Sequence, residues 1–90
     1  MKAYELLSGP EKWTQGYSAR NSRGNRVLLG DPEAVCWCPA AAIALCYPDR
    51  AKHWEAVQKL QQEVGSISTW NDARGRKYAE VYETLKRLDV

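Results

Sequence analysis

The run Val35-Cys36-Trp37-Cys38-Pro39-Ala40-Ala41-Ala42-Ile43-Ala44-Leu45-Cys46 is the least polar stretch of the chain and holds all three of its cysteines. Pro39 divides it. A proline inside a helix removes one hydrogen bond and clashes with the preceding turn, so no single helix can cross this stretch. Proline does suit the first position of a new helix. The expected result is one short helical turn from Asp31-Pro32-Glu33 to about Cys36, then a second helix from Pro39 to about Cys46 with Cys38 at its N-cap. Asp31 would cap the first turn and Glu33 would complement its dipole. The small residues after Pro39 allow very close packing against neighbours.

Other punctuation sets the remaining elements. Ala3 to Leu7 reads as a short first helix stopped by Gly9-Pro10. Thr14–Arg20 and Arg26–Leu29 flank Asn21-Ser22-Arg23-Gly24-Asn25, which reads as a β-hairpin around a Gly- and Asn-rich turn. Asp49 is expected to cap a helix running to about Val64, with Trp54, Val57, Leu60 and Val64 on its apolar side and Gly65 as its stop. Ser66–Trp70 reads as a short extended piece or tight turn. Tyr78, Val81, Tyr82, Leu85 and Leu88 form one apolar stripe at helical spacing. The sum is a mainly α, small α+β fold: about four helices and one short hairpin in one domain of 90 residues.

A chain of this size buries only about 60–65% of its extended surface, so its core needs large residues. Four Trp and five Tyr with no Phe meet that need. Trp13, Trp37, Trp54 and Trp70 are expected to pack together with the helical stripes. Thirteen basic against eleven acidic residues give a net charge of +2, too even to imply a polyanionic partner. No apolar run approaches the ~18 residues of a membrane span. Met1-Lys2-Ala3-Tyr4-Glu5 carries no hydrophobic signal segment, which places the expected site of action in the cytoplasm. Three cysteines in that setting read as free thiols.

Three constellations offer chemistry. Cys36, Cys38, Cys46 and His53 are the ligand types of a zinc site. However, Cys38 and Cys46 would stand about 12 Å apart along one helix, too far to share an ion at ~2.3 Å. No metal or other cofactor is therefore implied. A thiol at a helix N-cap feels the positive end of the dipole, which favours thiolate. Cys38 as nucleophile, His53 as base and Asn71 (or Asp72) as its orienter make the enzymatic alternative. Arg20, Arg23 and Arg26 around the hairpin, with Tyr17 or Trp13 for stacking, make the nucleic-acid-binding alternative. Trp70-Asn71-Asp72 and the loop after it form the best candidate surface. Its expected binding residues are Trp70, Asn71, Asp72, Arg74 and Arg76, with Arg23 from the hairpin.

Trp37-Cys38-x-x-Ala41-Ala42, Trp70-Asn71-Asp72-x-x-Gly75-Arg76 and Val81-x-x-x-Leu85 together resemble a family of small phage and bacterial proteins of unassigned function. Trp13-Thr14-Gln15-Gly16 is similar to that family's early segment. Ala41 departs from it by replacing a glycine, and Pro39 by replacing an apolar residue. The resemblance implies a shared fold and a phage or mobile-element origin, and it carries no activity. The expected function is a cytoplasmic, non-enzymatic domain that binds a host protein. Exposed aromatics would serve a homodimer as readily as a heterologous contact.

Overall fold

Pro39 starts a helix. In the computed structural model, which describes residues 1–90, α2 spans Pro39–Cys46, and the Cys38 sulfur caps it by accepting the Ala41 N–H at 3.4 Å. Around it lie α1 (Ala3–Leu6), α3 (Arg50–Val64), α4 (Ile67–Asn71) and α5 (Tyr78–Leu88). A single 3-10 turn occupies Pro10–Lys12. Strands β1 (Ala19–Arg20), β2 (Arg26–Val27) and β3 (Cys36–Trp37) form a small antiparallel sheet in the order β2-β1-β3. This is a small α+β fold, with one more helix and one more strand than the sequence suggested.

The extra strand comes from the stretch expected to be a helical turn. A residue before proline is pushed out of the helical region, and Cys38 is accordingly extended at φ −81°, ψ 164°. Before it, Trp37 and Cys36 are held extended by pairing with Ala19 and Arg20. Asp31 closes a turn instead of opening a helix, its carboxylate accepting the Glu33 N–H at 2.7 Å. The hairpin ladder is also shorter than expected, with Ala19 opposite Val27 and Arg20 opposite Arg26. Asn21 organises its turn by accepting the N–H groups of Arg23 and Asn25, both at 3.0 Å. Gly24 supplies the left-handed residue there, at φ +80°.

The extra helix is α4. Ser66 accepts the Thr69 N–H at 3.3 Å and Ile67 is buried in the core. Capping and tertiary packing override the strand-like composition of Ser66–Trp70.

The core gathers Ala3 and Leu7, Ala42 and Ile43 of α2, Ala56 and Leu60 of α3, Ile67, and Val81 and Leu85 of α5. Val90 joins them, and its carbonyl accepts from Ala3 N–H at 2.6 Å and from the Tyr47 hydroxyl at 2.9 Å. Trp54 is the correction. It is 60% exposed, while Trp13, Trp37 and Trp70 pack against the core. At ~100° per residue, Trp54 lies about 120° around α3 from Leu60. Two successive steps of three carry the apolar stripe off the buried face, and Ala56 takes the inward position.

Leu60→Ala is expected to cost about 2–5 kcal/mol of stability through the cavity it leaves. Trp54→Ala is expected to change stability by no more than about 0.5 kcal/mol, as at other surface positions. Urea denaturation of the two variants measures both.

Candidate functional site

The end of α4 is laced to the segment that follows the 3-10 turn. Asn71 is 1% exposed. Its side-chain oxygen accepts the Trp13 indole N–H at 2.7 Å, and its nitrogen donates to the Thr14 carbonyl at 3.1 Å. The amide carries its acceptor and its donors on separate atoms, so one side chain serves both partners at once. The Asn71 carbonyl accepts from the Gln15 side chain at 2.7 Å, and the Asp72 carboxylate accepts the Gly16 N–H at 2.9 Å. Four consecutive residues, Trp13 to Gly16, are thereby bonded to two, Asn71 and Asp72.

Arg76 fastens the loop beyond. Its Nε donates to the Trp70 carbonyl at 2.9 Å, and its guanidinium lies 5.2 Å over the Trp70 ring. Gly75, at φ +85°, makes the turn that brings Arg76 back.

These contacts frame a cleft of about 210 Å³ between Gly16–Ser18, Cys38–Ala40 and Ile67–Asp72. Cys38 and Asn71 both line it. His53 does not; it lies in the first turn of α3, beyond the eight residues of α2 that separate it from Cys38. The Asn71 amide is occupied by Trp13 and Thr14. Burial pushes the Cys38 thiol up, and the Asp72 carboxylate adds to this, while the Ala41 and Ala40 amides pull it down by less. The dipole effect expected at the N-cap is outweighed by desolvation, so the thiol is held protonated. Cys38 and Cys46 stand at opposite ends of α2, and all three cysteines are free.

The arginines sort into occupied and open ones. Arg20 donates to Thr14 Oγ1 at 3.0 Å, to the Gly24 carbonyl at 3.2 Å and to the Gln15 carbonyl at 3.2 Å. Arg26 lies 5.2 Å over the Tyr17 ring. Of the hairpin trio, Arg23 alone is exposed without such a contact. Around the second motif, Asp72 and Arg74 are exposed, Trp70 and Arg76 are half-buried against each other, and Asn71 lies inside. Of the expected binding residues, Asn71 and Asp72 line this cleft, Trp70 and Arg76 pack on each other beside it, Arg74 lies in the loop between them, and Arg23 belongs to the β1–β2 turn.

A further surface lies on α3. Ala51, Trp54, Gln58 and Gln61 are all exposed, and none is charged. Their spacing of three, four and three places them in one line along the helix. That spacing is present in the sequence, where it overlaps the apolar pattern Trp54, Val57, Leu60, Val64.

A family model, described as a family of unknown function (DUF6197), matches residues 1–88. The chain belongs to that family. No curated protein and no solved structure matches it. Membership brings no activity with it.

Asn71→Ala is expected to cost about 2–3 kcal/mol, because it leaves the Trp13 indole N–H and the Thr14 carbonyl unpaired. A loss below about 0.5 kcal/mol in urea denaturation would show that water replaces the amide. Iodoacetamide at neutral pH should label Cys38 more slowly than a cysteine in an unstructured peptide, since less of it is thiolate. Faster labelling would return Cys38 to the list of nucleophiles.

Proposed function

We propose that this protein is a non-enzymatic interaction domain that binds another protein through the exposed line of α3. The observation that carries this reading is Trp54, 60% exposed at the centre of the uncharged stripe Ala51–Trp54–Gln58–Gln61. Interface centres are depleted of charge and enriched in aromatic residues, and tryptophan is among the side chains that most often dominate binding energy.

Two further features favour binding over catalysis at the Cys38 cleft. The thiol is raised by burial, and the one amide beside it is bonded within the chain. The hairpin offers little to nucleic acid, because Arg20 is bonded to backbone and side chain and Arg26 is stacked. The exposed Asp72 and Arg74 provide a secondary polar rim. No helix is long and apolar enough to cross a membrane, and the proposed setting is the cytoplasm.

Affinity capture from a lysate of the source cells tests the reading. The wild-type protein is expected to retain a partner, a further copy of the chain included, and Trp54→Ala to reduce that retention at least about tenfold, as for a central interface tryptophan. Cys38→Ser and Arg23→Ala should leave it unchanged. Retention indifferent to Trp54, or lost with Arg23 and sensitive to nuclease, would overturn it.

A further inference from the structure

We infer that the partner seated on α3 is a second copy of this chain, with the two α3 helices side by side and parallel. This rests on the reading that α3 is a docking face, and it names the occupant. Ala51, Trp54, Gln58 and Gln61 recur at the spacing of the a and d positions of a heptad, the pattern by which two helices pack along a seam. All four are exposed, so the seam faces away from the buried side of α3 formed by Ala56 and Leu60.

The charges flanking the seam select the partner. Arg50 and Glu55 are exposed and border it on opposite sides, at the g and e positions. Five residues apart on one helix, they cannot meet each other, since helical neighbours are three or four apart. Neither takes part in the three ion pairs of the chain. Lys59, four residues after Glu55, donates instead to the Leu88 carbonyl at 3.3 Å.

In a parallel pair of identical helices, a g residue faces the e residue five positions later on the partner. Arg50 of each copy then meets Glu55 of the other, twice by symmetry. An antiparallel pair would set g against g and e against e, leaving both charges without a partner. In the parallel register Trp54 meets its own counterpart beside the small Ala51. Gln58 and Gln61 likewise meet their counterparts, where amide can bond to amide. The surface is thus complementary to itself, as a two-fold interface must be. With one large apolar side chain per copy, the association is weak and reversible.

Sedimentation equilibrium over a wide range of protein concentration tests the inference, with circular dichroism confirming that each variant is folded. The wild type is expected to pass from monomer to dimer as concentration rises. Trp54→Ala should weaken the dimer at least about tenfold. Arg50→Glu and Glu55→Arg should each weaken it about three- to tenfold, because both symmetric pairs become repulsive. The double variant Arg50→Glu with Glu55→Arg should restore it. A wild type that stays monomeric at millimolar concentration overturns the inference, and Trp54-dependent capture of a different protein would then leave the docking face itself standing. A dimer indifferent to Trp54 overturns the seam. Single variants that weaken a dimer without rescue in the double variant overturn the parallel register.

Discussion

The side-chain amide of Asn71 holds two distant parts of the chain in one place. It accepts from Trp13 and donates to Thr14, more than fifty positions away in sequence. With the Gln15 and Gly16 bonds beside it, the amide fixes the segment leading from the 3-10 turn into the sheet against α4. The Thr14 N–H reaches the Trp37 carbonyl at 3.1 Å, so the same anchor also fixes β3 and hence the start of α2. A buried polar group costs free energy unless it is bonded, and no buried side-chain nitrogen or oxygen in this protein lacks a partner. A chain with a small core gains specificity from such a bond, because few other arrangements would satisfy both ends of the amide.

Much of the fold was legible in the sequence. Pro39 and Cys38 marked the start of α2, Asp49 the start of α3, Gly65 its end, and the Tyr78–Leu88 stripe gave α5. These signals are local, and local chemistry decides them. The failures were tertiary. Asp31-Pro32-Glu33 has the composition of a helix start, yet pairing with Ala19 and Arg20 makes Cys36 and Trp37 a strand. Ser66–Trp70 looked extended, yet a serine cap and the burial of Ile67 made it helical. The Trp70-Asn71-Asp72 motif stood out as a sequence feature, but nothing local shows that Asn71 points inward while Asp72 faces water. Trp54 lies off the buried face because successive steps of three from Leu60 drift around the helix and do not stay on one side.

The distribution of polar groups divides the molecule into a fastened end and an open face. Arg20, Gln15, Asn71 and Arg76 direct their side chains into the chain itself, and Cys38 is kept protonated beside them by burial. A region so internally bonded is well suited to holding a shape. On α3 the reverse holds. The largest apolar side chain in solvent sits among uncharged neighbours, with flanking charges that find no partner at home. Fold and proposed function are linked through this division: the bonds around Asn71 stiffen a scaffold whose outward helix is free to meet another surface.

The most direct measurement is hydrogen exchange of the four tryptophan indole N–H groups in one nitrogen-resolved spectrum of the dilute, monomeric protein. The Trp13 proton, bonded to Asn71, and the Trp37 proton, bonded to the Leu29 carbonyl at 3.2 Å, should exchange slowly, while the Trp54 proton exchanges at the rate of a free indole. A fast-exchanging Trp13 proton, or a protected Trp54 proton, would contradict the division between fastened core and open helix on which the functional reading rests.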